Sequence, residues 1–290
     1  WRKLEENFGS ESEYLGFLRD SPSAAQRLCH VLSNSRFLGD ALNKSVESVT
    51  WLGNDESLQP RSRESLNIQT KATLERNAGN INDFANSIRA MRRHEIERIG
   101  LAWMSGVIDD EASLAGMTDV YDAAIEASLQ WAIQHRINDI QIDEAPAAIA
   151  IIGMGRYGGR EVNFSSDADV IIIYRPAEGA DDDQANLFAR KVQEDLRAIL
   201  QGPTTFEPKI ELDMDLRPEG KNGPLVRSYA SCEEYYRSWA STWEHQALLR
   251  ARYAAGDAAL AEDFLMNIAD PLRYPKIDLT ETQIAEIRKL

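Results

Sequence analysis

Apolar residues recur at helical spacing through the first half of the chain. Leu28, Val31 and Leu32, then Phe37, Leu38, Ala41 and Leu42, fall three and four apart, the interval that gathers side chains on one helix face. Pro60 and the polar run from Arg61 to Ser65 interrupt the pattern. A longer helical stretch is predicted from about Thr70 to Val107, with Ile88, Met91, Ile96, Ile99 and Ala102 on its apolar side. Asp109-Asp110-Glu111 is an acidic helix start, favourable at the positive end of a helix dipole. From there Leu114, Met117, Val120, Tyr121, Ala124, Ile125 and Leu129 continue the period to about Arg136.

The period then changes. Ala147 to Ile152 is a short Ile-rich run between Pro146 and Gly153, and Val170 to Tyr174 is another, closed by Pro176; both read as buried strands. Phe188 to Leu200 returns to helical spacing. Lys209 to Leu216 alternates, with Ile210, Leu212, Met214 and Leu216 on one side and Glu211, Asp213 and Asp215 on the other, and is predicted as a strand. Beyond Gly223 the pattern is helical, from about Cys232 to Leu249 and from Asp257 to Ala269, with Trp239, Trp243, Leu248 and Leu249 as its core stripe. These elements predict an α+β protein: a helical region over 1–140, a small mixed sheet over 141–230 and a second helical region over 231–290.

Composition narrows the possibilities. The 290 residues carry 32 Lys plus Arg against 47 Asp plus Glu, a net charge of −15. So acidic a body is poorly matched to a long polyanion, which sets nucleic acid aside as a partner. Cys29 and Cys232, the only cysteines, are far apart, and a reducing cytoplasm is the expectation. No apolar run is long enough to span a bilayer. The chain opens on Trp1 and closes on Arg288-Lys289-Leu290 inside a helical pattern, so a fragment of a longer protein is expected.

The chemistry concentrates between Ile149 and Tyr174. A strand leads into the glycine-rich turn Gly153-Met154-Gly155-Arg156-Tyr157-Gly158-Gly159, and Asp167 and Asp169 open the next strand. Residues two apart on a strand share a face, and two carboxylates aimed at one point call for a cation between them. Asp213 and Asp215 bring further acids on a separate strand. Oxygen-rich clusters of this kind suit Mg²⁺ or Mn²⁺ serving a nucleotide. Gly153, Gly155 and Gly158 also spell a dinucleotide fingerprint. However, that motif needs a crossover helix before its acidic residue, and only about eight residues separate Gly159 from Asp167. The four histidines show no metal-ligand spacing. Glu244, Arg250 and Arg252 read either as ion pairs or as phosphate contacts.

The string from Gly153 to Ile171, GMGRYGGREVNFSSDADVI, resembles the nucleotidyltransferase signature of the bifunctional glutamine synthetase adenylyltransferase/adenylyl-removing family. Leu212 to Gly220 is similar to its third-carboxylate strand, and Tyr235-Tyr236 through Arg252 to its following helix. Leu32 to Leu38 and Met91 to Glu95 resemble its helical lead-in. The resemblance implies a polymerase-beta-like nucleotidyltransferase core and ATP as substrate. It gives Asp167, Asp169 and Asp213 as catalytic Mg²⁺ ligands, and Gly158, Gly159, Ser166 and Arg217 as nucleotide-binding residues. It implies transfer of AMP to a tyrosine of glutamine synthetase, with a PII-type signalling protein as a further partner. The DLRPEG and GPLVR strings, with Pro271 to Pro275, resemble the C-terminal, adenylylating half. Asp215 departs from the family pattern and leaves either Asp213 or Asp215 as the third ligand; the motif alignment favours Asp213. The removing half, which would release ADP from AMP-tyrosine, a silent nucleotide-sensing module and a polynucleotide-adding transferase are the competing readings.

Overall fold

The computed structural model describes residues 12–204, 207–275 and 280–288, so Trp1 and the terminal Lys289-Leu290 lie outside the described residues. Seven helices come first: α1 (Ser12–Asp20), α2 (Pro22–Asn34), α3 (Arg36–Lys44), α4 (Asp55–Leu58), α5 (Arg63–Arg76), α6 (Ile81–Met104) and α7 (Asp110–Asp139). Several starts are fixed by side-chain caps. Ser35 accepts from the Leu38 amide, Asn80 from Asn82 and Asp83, and Asp109 from Ala112, each satisfying a donor that the first helical turn leaves open.

The sheet follows: β1 (Ala147–Gly153), the one-turn helix α8 (Gly155–Gly158), β2 (Ala168–Pro176), the long helix α9 (Asp182–Gln201), β3 (Leu212–Asp213) and β4 (Val226–Ser228). The chain closes with α10 (Tyr229–Ser238), α11 (Thr242–Ala247), β5 (Arg252–Gly256), α12 (Ala258–Phe264), α13 (Asp270–Arg273) and α14 (Glu281–Ile287). β1 and β2 pair antiparallel along their whole length, from Ala147 opposite Pro176 to Gly153 opposite Val170. β5 adds antiparallel to β1, with an irregularity between Ile151 and Ile152. β3 and β4 both add parallel to the other side of β2, β3 at its start and β4 further along.

The Ile-rich strands are buried on both faces. Ile149, Ile151, Val170 and Ile172 pack with α6, α7 and α9, whereas Ile152, Ile171 and Ile173 pack with Cys232, Tyr236, Leu260 and Phe264 from the C-terminal helices. A third cluster joins the first helices to Leu101 and Ala102 at the end of α6. Arg89 ties α6 to the sheet layer. Fully buried, its guanidinium donates to the Ile199 and Gly202 carbonyls at 2.8 Å each, holding the C-terminus of α9.

Three expectations are corrected. The strand expected over Lys209 to Leu216 is only two residues long, because an Asp213 carboxylate oxygen accepts the Asp215 amide at 2.7 Å and turns the chain. The C-terminal region is not purely helical: β5 completes the sheet against β1. The supposed core stripe is largely at the surface, with Trp239 76% exposed and Leu249 51% exposed; Leu248 alone of the four is buried. Helix breaks at Ser238 and Ala247 take these side chains out of one continuous period.

Candidate active site

The glycine turn exists because backbone and carboxylate approach each other closely. Met154 donates its amide to the Asp169 carbonyl at 2.8 Å, which anchors the start of the turn to β2. Gly155 has φ +51°, and a Cβ there would lie 2.2 Å from Asp169 Oδ2, so a side chain is excluded twice over. At Gly158 a Cβ would meet the Arg250 and Gly153 carbonyl oxygens at 2.1 and 2.5 Å. Gly159 is roomier; its nearest neighbour is the Arg250 guanidinium. Glycine is therefore required at 155 and 158 by packing.

Asp169 and Asp213 are register partners on parallel strands. Asp169 is half-buried, and its carboxyl is pushed from 3.8 up to about 6, by burial first and then by the Asp167 and Asp213 charges; the Arg156 amide and guanidinium oppose this. Three acidic side chains therefore share one field beside the turn. Among the described residues, no group of three or more His, Cys, Asp or Glu side chains is arranged to hold a metal ion. The array is open, but its chemistry fits a hard divalent cation: the donors are all oxygens, and a cation between them would relieve their repulsion.

Asp215 borders the same cavity as Asp167 and Asp213 but is held by cationic side chains. It pairs with Lys221 at 3.1 Å and lies 3.7 Å from Arg217. Arg217 is buried, with its guanidinium donating to the Met214, Gly223 and Lys221 carbonyls at 2.7, 2.9 and 3.0 Å, which shapes the loop after β3. Ser166 sits at the approach to Asp167, where its hydroxyl donates to Asn163 Oδ1 at 3.0 Å and accepts the Asn163 amide at 3.1 Å. A cavity of about 580 Å³ opens on the β3 side, lined by Ser166, Asp167, Asp213, Arg217 and Lys221 among others.

The sequence reading did not find what stands behind the turn. Asp122 of α7, nearly inaccessible, accepts two bonds from Arg252 at 2.8 and 3.0 Å, and Arg63 adds a third contact at 3.0 Å. Arg252 also donates to the Tyr157 carbonyl at 3.1 Å. The Tyr121 hydroxyl donates to the Ser166 carbonyl at 3.0 Å. The one sequence-level signal was a charged Asp122 inside an apolar helical run. Of the residues read either way, Arg252 and Glu244 are structural; Glu244 accepts the Ser241 amide and the Tyr235 hydroxyl at 2.8 Å each. Arg250 stays half-exposed beside the turn, paired with Glu161 at 2.5 Å.

Comparison with known proteins gives a consistent answer. The model of the family described as Glutamate-ammonia ligase adenylyltransferase matches residues 25–267. The chain is 76% identical over 290 residues to the bifunctional glutamine synthetase adenylyltransferase/adenylyl-removing enzyme of Bifidobacterium longum (strain DJO10A), covering all of this chain and 27% of that protein. It is 40% identical to the proteins of the same name from Mycobacterium avium (strain 104) and Mycobacterium tuberculosis (strain ATCC 25618 / H37Rv), again along its whole length and across 29% of theirs. The chain thus spans under a third of the relatives it matches. With residues 25–267 under the family model, the chain belongs to the glutamate–ammonia ligase adenylyltransferase family.

Proposed function

We propose that this chain is an adenylylating unit with a polymerase-beta-like nucleotidyltransferase site. It moves AMP from ATP to a tyrosine hydroxyl of glutamine synthetase in the cytoplasm and releases pyrophosphate. The observation that carries the reading is the Asp169–Asp213 pair in register on parallel strands, with Asp167 just before β2 adding its charge, beside a turn whose Gly155 and Gly158 leave no room for side chains.

Asp167, Asp169 and Asp213 would hold Mg²⁺ or Mn²⁺. Such ions, when bound, neutralise phosphate charge and activate the attacking oxygen. The Gly155–Gly159 turn offers backbone amides and an open path to the triphosphate, with the exposed Arg156 and Arg250 supplying positive charge beside it. Asp213 accepts the acceptor proton with the carboxylate oxygen not committed to the Asp215 amide. Arg217 acts on the nucleotide site through the loop whose carbonyls it holds. The DLRPEG and GPLVR strings support assignment to the adenylylating half. The relatives carry both activities in their names.

The test is transfer from α-³²P-ATP with Mg²⁺ to unmodified glutamine synthetase, beside an Asp167→Asn/Asp169→Asn variant and a phosphorolysis assay on AMP-modified synthetase. Label on the synthetase that the variant loses is the expected result. ADP release without label incorporation would transfer the assignment to the removing half. Neither activity would leave a nucleotide-sensing module. A PII-type partner would show as a change in transfer rate when that protein is added.

A further inference from the structure

The cleft continues beyond the carboxylates. A second cavity, about 500 Å³, adjoins the first, and Arg197 and Leu225 wall both. It runs between α9, which contributes Arg190 and Gln193, and the segment Pro224 to Val226 that enters β4. Among the described residues β4 pairs only with β2, so an open strand edge begins at this wall.

Two features of this chamber point to a ligand. Gln193 is 4% exposed, lines the cavity, and its Nε2 has no hydrogen-bond partner among the described residues. An unpaired buried amide is a cost of folding, which a bound acceptor would recover. Arg190 and Arg197 set two guanidinium groups along the same wall; Arg190 is exposed, and Arg197 donates to the Gln201 amide oxygen at 3.1 Å rather than to a carboxylate. The one acid in the lining, Glu194, is held by Lys191 at 2.8 Å.

The position of the chamber states what enters it. The glycine turn abuts Asp169 from the β1 side, and both cavities lie on the β3 and β4 side. In-line transfer places entering and leaving groups on opposite sides of the phosphorus. With the phosphates on the turn, the β3 side receives the acceptor. We propose that the second chamber binds the polypeptide flanking the acceptor hydroxyl, as an extended acidic segment. Its carboxylates pair with Arg190 and Arg197, and one of its main-chain carbonyls accepts from Gln193. This rests on the site being a transferase toward a protein hydroxyl.

The probe is a fluorescent twelve-residue peptide with one tyrosine flanked by glutamates, against the same peptide with lysines, in the absence of nucleotide and metal. Anisotropy is expected to show binding of the acidic peptide and about tenfold weaker binding of the basic one. Arg190→Glu is expected to weaken acidic-peptide binding by about tenfold and Gln193→Leu by about threefold, while Lys71→Glu on α5 leaves it unchanged. Equal binding of the two peptides, or binding indifferent to Arg190→Glu in a variant with a wild-type circular-dichroism spectrum, overturns the proposal. Charge-dependent binding without transfer of label would remove the reaction and keep the groove. Transfer to glutamine synthetase with peptide binding insensitive to Arg190 would remove the groove and keep the reaction.

Discussion

Replacing Glu97 by Gln probes an ionisable group that this fold holds without a partner. Glu97 on α6 is 1% exposed, and neither carboxylate oxygen has a hydrogen-bond partner among the described residues. Arg93 lies nearby but is engaged with Glu207 at 2.8 Å and Ser45 Oγ at 2.6 Å. Burial, partly opposed by the adjacent Ser48 hydroxyl, pushes the carboxyl from 4.5 to about 7. The native state therefore holds this proton more tightly than the unfolded chain. The contribution of Glu97 to stability is neutral below 4.5, falls as pH rises through the interval from 4.5 to about 7, and is flat above it. At about 1.4 kcal/mol per pH unit, the loss between pH 5 and pH 8 comes to about 2.5 kcal/mol. Glutamine does not titrate, and whatever its own unpaired amide costs is the same at both pH values. Urea unfolding followed by tryptophan fluorescence should therefore show the Glu97→Gln variant gaining about 2.5 kcal/mol on the wild type between pH 5 and pH 8. A pH-independent offset between the two proteins would refute the reasoning.

Three further outcomes are expected. Gly155→Ala should lower stability by about 2 kcal/mol in thermal unfolding and displace Asp169, because it combines a positive φ with a 2.2 Å clash, whereas Gly159→Ala should cost under about 0.5 kcal/mol. Asp169→Asn should lose AMP transfer in the Mg²⁺ assay, yet in thermal unfolding without added metal it should unfold later than wild type at pH 8. The raised carboxyl lowers wild-type stability as pH rises through the interval from 3.8 to about 6, and with solvent screening the relief is about 1–2 kcal/mol. Arg89→Leu should cost about 3 kcal/mol in urea unfolding, since it unpairs the buried end of α9.

Elements with a strong local period were legible. The two Ile-rich strands and the helix from Asp110 appear where the pattern puts them. The stretch expected over Thr70 to Val107 is instead two helices, α5 and α6, separated at 77–80 where Asn80 caps α6, and α5 begins at Arg63 inside the polar run expected to interrupt the pattern. Asp167, expected to share a strand face with Asp169, lies just outside the strand, whereas the start of β2 at Ala168-Asp169 was legible from the apolar run that follows. β5 was not, because Arg252 to Gly256 is short and half polar and becomes a strand only by adding to β1. The turn at Asp215 was not legible either: alternation puts Asp213 and Asp215 on one face, whereas the Asp213 side chain accepts the Asp215 amide, Asp215 pairs with Lys221 and Asp213 stands opposite Asp169.

The helical first half is part of the site's construction. The turn and the Asn163–Ser166 loop are each anchored by apolar side chains, Met154 and Tyr157 buried in the core and Phe164 against Phe37 and Trp103. Polar anchors are added by α7. Tyr121 holds the Ser166 carbonyl one residue before Asp167. Thr118 accepts the Val162 amide, and Asp119 pairs with Arg160 at 2.9 Å. Asp122 holds Arg252, which in turn holds the Tyr157 carbonyl inside the glycine turn. Four nearly consecutive residues of one helix thus reach both segments that carry the candidate chemistry. A helix is stiff over this length, so α7 braces the turn and the loop to each other, in addition to the β1–β2 pairing and the Met154 amide bond to the Asp169 carbonyl. This accounts for a charged residue at a buried position of α7: paired three ways, Asp122 trades the cost of burial for a defined position of the turn.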